Sequence, residues 1–200
     1  LKKTLTKPSH AKARAYGYSL ANSVIEAFQA GDFKQSPKPS IAIHSTEIEL
    51  GIENFMLSLG TLLGVIDSDP KFSLMPPFVR YLSEVAFIQI GDASITGIPG
   101  ELYPEIAVGG IENPIGADYV IAPQEVPHLR SQFSDKLNLM VNLANDSIGY
   151  IIPKSEWDED APWIYGEKEE TYGEVVSLGP NTAPVIHENL LELIKESKNK

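Results

Sequence analysis

The chain has 200 residues, of which 42% are hydrophobic, and this is enough for one sizeable core, so we expect a single α/β unit over residues 1–200. The formal charge of −11 argues against nucleic acid as a partner and against simple adsorption to anionic membranes. The absence of cysteine excludes disulfides and thiolate zinc clusters, and no apolar run approaches the roughly 20 residues that cross a bilayer.

The N-terminal region carries a helix signal. Ser9 suits an N-cap, and Gly31 suits a helix end. Apolar side chains recur every four residues between them: Tyr16, Leu20, Val24 and Phe28. The spacing predicts an amphipathic helix that ends at Gly31.

Two apolar segments follow. Residues 41–52 alternate between apolar and polar side chains, which predicts a half-buried strand at or near a sheet edge. Residues 54–66 are apolar nearly all round, which predicts a buried helix interrupted at Gly60 and Gly64.

A hairpin signal lies in residues 84–97, where two alternating runs flank Gly91 and Asp92. Pro99 and Gly100 should end the second strand, because proline cannot donate to a central ladder. Glu101 is thereby presented at a strand end, just before the helical segment 102–108. This position is common for a site residue, but local pattern alone favours a solvated turn glutamate.

The second half of the chain repeats this arrangement. Residues 123–135 can form a helix, and the apolar run 137–143 suits a central strand that exits into a turn ending at Tyr150. A short helix at 153–157, a long polar loop over 158–173 and an amphipathic helix over 185–196 follow. The sequence therefore predicts an α/β fold, with a mixed β-sheet or pair of sheets flanked by helices.

Common catalytic motifs are missing from the sequence. The four histidines form no HExxH motif or i, i+4 pair, and the chain has no GxSxG elbow, GxGxxG motif or P-loop. We expect surface or packing roles for these histidines: His10, His44, His128 and His187. The acidic run Glu156, Asp158, Glu159 and Asp160 lacks the calcium-loop pattern, so we interpret it as a solvated acidic face.

Three strings in order resemble a known family. They are IPGELYPEI, NLANDSIGYIIPKSEWD and YGEVVSLGPNTAP, with AKARAYGYSLANSVIEAF upstream. Together they resemble the C-terminal part of the neutral/alkaline (non-lysosomal) ceramidase family, bacterial type, over roughly residues 8–193. The resemblance implies a zinc-dependent amidase that hydrolyses the N-acyl amide of ceramide to a sphingoid base and a fatty acid.

The resemblance also implies roles for individual residues. The Pro-Gly-Glu motif makes Glu101 the candidate zinc ligand, and the turn containing Asn145 places the zinc-bound tyrosine at Tyr150. Tyr172, before a Ser and a Gly-Pro, best fits the catalytic tyrosine that polarises the amide carbonyl, with Tyr165 as the alternative. Zinc-bound water with a pKa near 7 would attack the amide, and a tyrosine donor would stabilise the oxyanion.

The family's two zinc histidines and its catalytic serine lie in an N-terminal half that this sequence does not match. We therefore expect the chain to be the C-terminal portion of a larger catalytic domain, inactive alone, which needs the N-terminal half of the same protein. The resemblance places the protein outside the cell or in the periplasm. Two alternatives remain: a zinc amidohydrolase on another N-acyl substrate, and a non-catalytic binding or scaffold module.

Overall fold

The structure, a computed structural model, describes residues 6–31, 38–66, 70–133 and 137–198. The chain divides into two units, Leu1–Pro39 and Ser40–Lys200. In the first unit, helix α1 spans His10–Ala30. Ser9 caps it by accepting a hydrogen bond from the Lys12 backbone N–H, and Gly31 ends it with φ of 71°, so both predicted boundaries are confirmed.

The second unit is built on a mixed sheet. Its strands are β1 (Ile41–Gly51), β2 (Lys71–Phe72), β3 (Val79–Ile90), β4 (Ala93–Gly97) and β6 (Leu137–Val141). The order is β1-β3-β4-β6, with β2 paired to the start of β3. The pairs among β1 to β4 are antiparallel, whereas β4 and β6 are parallel. A separate parallel pair joins β5 (Glu101–Leu102) to β7 (Tyr150–Ile151).

Helices flank these sheets, which confirms the predicted α/β class. They are α2 (Phe55–Leu62), α3 (Pro104–Val108), α4 (Tyr172–Val175) and α5 (Thr182–Ser197), with 3₁₀ turns at Leu129–Gln132, Lys154–Glu156 and Ile164–Gly166. The predicted hairpin is also confirmed, because Gly91 and Asp92 connect the paired residues Ile90 and Ala93.

Helix α5 covers one face of the main sheet. It packs against β1 and β3. The side chains buried there are Leu50, Phe87, Ile186, Leu190 and Ile194, all at most 2% exposed. Each buried aliphatic side chain of this kind stabilises the fold by about 1.5–3 kcal/mol before entropy is subtracted. This layer is the core of the unit.

The opposite face of the same sheet also carries apolar side chains, and we call it the outer face. The strand register places Ile43 beside Ile88, Ile88 beside Ile95, and Ile95 beside Leu139. Several members are substantially exposed: Ile41, Ile43, Ile90, Leu137, Leu139 and Val141. One end of the outer face is therefore apolar and exposed, whereas its other end carries Glu47 and Glu49.

Three local predictions were wrong. The predicted buried helix at 54–66 corresponds to α2, which ends at Leu62. Its first residue, Phe55, has 74% of its surface exposed. Its apolar composition reflects an exposed apolar surface rather than burial. Gly64 follows the helix with φ of 68°, a conformation that does not continue an α-helix.

The second wrong prediction concerns residues 137–143. The first five of these residues form strand β6. Within the described residues, β6 is an edge strand and not a central one. Leu137, Leu139 and Val141 lie on the outer face, so the apolar run does not indicate burial on both sides.

The third concerns residues 123–135, predicted as a helix. They form an irregular segment and a single 3₁₀ turn at Leu129–Gln132, and residues 134 and 135 lie outside the described part. Pro123 and Pro127 supply no backbone N–H, which disfavours a continuous helix there.

Candidate functional site

Glu101 and Tyr150 are brought together by the two-stranded sheet. They are direct register partners in the parallel pair of β5 and β7. The Glu101 N–H donates to the Gly149 carbonyl at 2.9 Å, and the Tyr103 N–H donates to the Ile151 carbonyl at 3.1 Å. Each residue thus begins a short strand of its own, β5 or β7, and does not lie at the end of β4 or β6.

Two glycines allow close backbone contacts at this sheet, Gly100 with the paired strand and Gly149 with the segment around Val176. A Cβ at Gly100 would lie 2.5 Å from the Gly149 carbonyl oxygen, which is closer than real Cβ contacts. Gly149 has φ of 88°, and a Cβ there would overlap the Val176 carbonyl. The turn before it also uses left-handed backbone at Asn145, with φ of 70°, a residue type that tolerates this conformation.

Tyr172 completes a cluster of three tyrosines. It begins α4, is 70% exposed, and lies edge-to-face against Tyr150 with ring centroids 6.1 Å apart. Tyr103 makes a second edge-to-face contact with Tyr150, with ring centroids 6.2 Å apart. Such pairs prefer this geometry because the positive ring edge faces the negative ring face. The structure therefore brings together Glu101, Tyr150 and Tyr172.

Tyr165, the alternative to Tyr172, has other partners. Its hydroxyl donates to the Glu112 carboxylate at 3.1 Å. Burial and this hydrogen bond raise the pKa of Tyr165 to about 12, so the phenol stays neutral. Its described contacts include no ring contact with Tyr150, whereas Tyr172 makes one.

The Glu101 carboxylate controls the electrostatics of Tyr150. Its negative charge raises the pKa of Tyr150 above the ordinary value of 10, with smaller contributions from desolvation and from a hydrogen bond between the two side chains. An ionised phenol would be repelled by the carboxylate, so this charge favours the neutral phenol of Tyr150. The carboxylate of Glu101 and the phenol of Tyr150 can each offer an oxygen atom to a metal ion.

A cleft of about 540 Å³ opens beside this pair. Glu101, Tyr150 and Tyr172 line its polar side together with Asp146. The remaining wall is mostly apolar and includes Ile52, Leu57, Ile66, Ile148, Val176 and Leu178. A mostly apolar cleft with a few convergent polar groups is the common form of a small-molecule site.

The sequence interpretation missed Asp146. Its carboxylate accepts hydrogen bonds from the Tyr81 hydroxyl at 3.0 Å, the Ser83 hydroxyl at 2.8 Å and the Ser147 N–H at 2.8 Å. Asp146 therefore ties the turn before Tyr150 to strand β3. It stands within the NLANDSIGY string, so a closer reading of the turn chemistry would have identified it.

Two histidines have packing roles, as expected. His128 Nδ1 lies 3.3 Å from the Ala107 carbonyl, and His187, 4% exposed, places Nε2 2.9 Å from the Pro127 carbonyl. In the described part of the chain, no three or more histidine, aspartate or glutamate side chains are grouped so that they can hold a metal ion. Glu101 and Tyr150 offer two oxygen atoms, which is fewer than the four ligands that zinc usually takes.

The acidic run over residues 156–160 was predicted to be a solvated face. This prediction was wrong for two of its four acidic residues. Glu156 is 7% exposed and Asp158 is fully buried, whereas Glu159 and Asp160 are exposed. Glu156 accepts a hydrogen bond from the Glu112 N–H at 2.7 Å, and Asp158 accepts one from the Ile164 N–H at 3.0 Å. Desolvation raises the pKa of both buried carboxyls.

Comparison with known proteins gave one structural likeness. No protein-family model matches the chain, and no curated protein sequence matches it. A solved structure of neutral ceramidase from Pseudomonas aeruginosa superposes with a TM-score of 0.41 and 11% identity, covering 79% of this chain and 29% of that one. The chain thus spans less than a third of that protein's length. Within the described residues, no helix is both long and apolar enough to cross a membrane.

Proposed function

We propose that this chain supplies Glu101 and Tyr150 to the zinc site of an amidase that hydrolyses the N-acyl amide of ceramide-like lipids. The observation that carries the proposal is the register pairing of these two residues, with Tyr172 against Tyr150. The remaining zinc ligands and the catalytic serine come from the N-terminal half of the same protein, and zinc-bound water is the nucleophile. The site of action is extracellular or periplasmic.

In this proposal, two residues are metal ligands and a third is a hydrogen-bond donor to the substrate. Zinc, when bound, would polarise the amide carbonyl and lower the pKa of water. Glu101 and Tyr150 contribute oxygen ligands from opposed backbone positions that the β5–β7 hydrogen bonds fix. Tyr172, largely exposed beside them, presents a phenol that can donate a hydrogen bond to the oxygen that gains charge.

The cleft supports an apolar substrate. It is lined by six aliphatic side chains together with carboxyl and hydroxyl groups, and a ligand with a hydrocarbon chain and an amide suits this lining. The Asp146 hydrogen bonds hold the turn that forms part of the wall.

The test uses the full-length gene product that contains these 200 residues. Hydrolysis of a fluorescent ceramide and of short N-acyl amino acids is measured with and without a chelator, and bound zinc is quantified. The variants are Glu101→Gln and Tyr150→Phe. Glu188→Gln and Tyr18→Phe are matched controls, since both side chains are exposed and lie on helices α5 and α1.

We expect chelator-sensitive ceramide hydrolysis that falls at least about 100-fold in Glu101→Gln, with loss of zinc, and stays within twofold in the controls. Preferential cleavage of short N-acyl amino acids would mean that the substrate is another N-acyl compound and not a ceramide-like lipid. If chelator changed neither the activity nor the melting temperature, the zinc amidase would be rejected in favour of a binding or scaffold module.

A further inference from the structure

Helix α2 and the loop before β3 carry large apolar side chains that lie outside the core and outside the lining of the cleft. All of them are exposed, and Leu74 is completely so. We call them the apolar patch. Its members are Phe55, Leu59 and Leu62 from α2, and Leu74, Met75 and Phe78 from the loop. A contiguous exposed apolar surface marks a place where a protein contacts another protein or a membrane.

The two parts of the apolar patch meet at a hollow of about 490 Å³. Phe55 lines it from α2, and Pro76, Pro77 and Phe78 line it from the loop. The base of the loop is held by its backbone, because the Ser73 N–H donates to the Phe78 carbonyl at 2.9 Å. The patch is therefore one surface on a fixed support and not a set of scattered side chains.

The segments that carry the apolar patch are uncharged. Residues 54–66 and 72–79 include no Asp, Glu, Lys, Arg or His, although 22% of the chain is Asp, Glu, Lys or Arg. The net charge of −11 lies elsewhere, and a second copy of the chain would bring the same negative charge to this surface. A zwitterionic bilayer has no net charge, and phenylalanine and leucine side chains insert at its headgroup boundary. Charge therefore favours such a bilayer over a second copy.

Helix α2 connects the apolar patch to the cleft. Leu57 and Thr61 line the cleft. They lie on the side of α2 opposite Phe55, Leu59 and Leu62, because each helical residue turns the chain by about 100°. The helix is thus the wall between the cleft and the patch, and a lipid that leaves a bilayer at the patch needs to pass only this helix to reach the cleft.

We propose that the apolar patch docks the protein on a zwitterionic lipid bilayer, with Leu74 and Met75 inserted at the boundary between headgroups and acyl chains. The choice of a lipid partner rests in part on the proposed function, because a ceramide-like substrate resides in a bilayer. The patch contains none of the candidate site residues, so docking and catalysis can be tested separately.

The experiment measures binding of the full-length gene product to phosphatidylcholine vesicles by flotation at physiological salt. The test variant is Leu74→Ser combined with Met75→Ser. The matched control is Ile115→Ser combined with Val120→Ser, because these two side chains are 96% and 90% exposed and lie outside the patch. The melting temperature of each variant is measured as a check on folding, and Phe55→Ser is a second test variant from α2.

We expect the wild type to float with the vesicles. The ratio of bound to free protein should fall about tenfold or more in the test variant and less than twofold in the control, since interfacial binding scales with the apolar area that enters the bilayer. Phe55→Ser should also weaken binding. Added salt should not reduce binding, and vesicles that contain phosphatidylserine should bind less protein, because the patch has no cation to attract them.

Three outcomes would overturn the inference. Failure of the wild type to float would mean that the patch does not dock on a bilayer. Equal losses in the test variant and the control would mean that any exposed apolar side chain contributes alike. A smaller oligomer or a lower melting temperature in the test variant, with vesicle binding unchanged, would mean that a second copy or the N-terminal half of the protein covers the patch.

The proposed amidase is tested separately on a water-soluble short-chain ceramide, which needs no bilayer. If the wild type did not hydrolyse this compound but still floated with the vesicles, the amidase would be rejected and the docking surface would stand. Hydrolysis of the soluble compound without flotation would have the opposite meaning.

Discussion

Glu101 and Tyr150 lie directly opposite each other in a parallel pair of strands only two residues long. The backbone fixes the pairing, since the hydrogen bonds run between main-chain groups of residues 101 and 149 and of residues 103 and 151. Gly100 lets the first segment approach the Gly149 carbonyl, and Gly149 lets the second segment approach the Val176 carbonyl. The position of the candidate metal ligands therefore depends on residues that carry no chemistry themselves.

Gly149→Ala should destabilise the chain strongly. Its Cβ would overlap the Val176 carbonyl, and its φ of 88° is unfavourable for alanine. We expect a loss of about 3 kcal/mol or more in the free energy of unfolding, measured by urea denaturation.

Gly110→Ala is the matched control for this substitution. Gly110 also has a positive φ, of 102°, but a Cβ there meets no atom within 4 Å. It should lose only about 1–2 kcal/mol, the cost of the backbone conformation alone. Equal losses in the two variants would show that the close approach at Gly149 is unimportant.

Tyr172→Phe should separate the two candidates for the carbonyl-polarising tyrosine. In the full-length gene product, the proposed function predicts that kcat for ceramide hydrolysis falls about 100- to 1000-fold with zinc content unchanged, because it assigns an oxyanion donor to Tyr172. Tyr165→Phe should change kcat less than threefold, since its hydroxyl donates to Glu112. The reverse order of effects would assign the role to Tyr165.

Asp146→Ala should weaken the wall of the cleft. The substitution removes the acceptor for Tyr81, Ser83 and the Ser147 N–H, so we expect about 2–3 kcal/mol less stability in thermal or urea unfolding. Asp160→Ala, at an exposed position, should stay within about 0.5 kcal/mol of the wild type. Similar effects in both would argue against a structural role for the Asp146 carboxylate.

Glu174 should make stability depend on pH. Its pKa is about 7 in the folded chain against an ordinary value of 4.5, so folding favours the protonated carboxyl. The folded state is therefore penalised increasingly as the pH rises from about 4.5 to 7, and the penalty remains above pH 7. Glu174→Gln should be about 1–2 kcal/mol more stable than the wild type at pH 8, after allowance for solvent screening, and equal to it at pH 4.

Unfolding in urea at both pH values measures this difference. Glu188→Gln, on the exposed side of α5, provides the reference for a charge removed without burial. If the stability difference between Glu174→Gln and the wild type were the same at pH 4 and pH 8, titration of Glu174 would not be its cause.

The sequence could predict features that depend on local chemistry. Ser9 and Gly31 bound α1, and Gly91 and Asp92 form the hairpin turn. Strand β4 ends at Gly97, before Pro99 and Gly100, as predicted. Each of these signals depends on the backbone preferences of one or two residues, which act before any long-range contact forms.

Burial could not be predicted in the same way. Leu139 and Phe55 are as apolar as Leu50, yet they are exposed because they lie on surfaces that α5 does not cover. Conversely, Glu156 and Asp158 are buried although their segment is acidic, since backbone N–H groups of residues 112 and 164 bond to them. These outcomes depend on contacts between distant segments, which composition does not encode.

The outer face of the sheet has a consequence for the behaviour of the chain at high concentration. Its exposed isoleucine and leucine side chains include those of β6, which is an edge strand among the described residues. Exposed apolar patches at a sheet edge promote self-association. The net charge of −11 opposes this association at low ionic strength. At physiological salt the Debye length is about 8 Å, so the repulsion weakens while the apolar attraction persists. The colloidal stability of the chain therefore depends on salt, with dispersion at low ionic strength and clustering as salt is added.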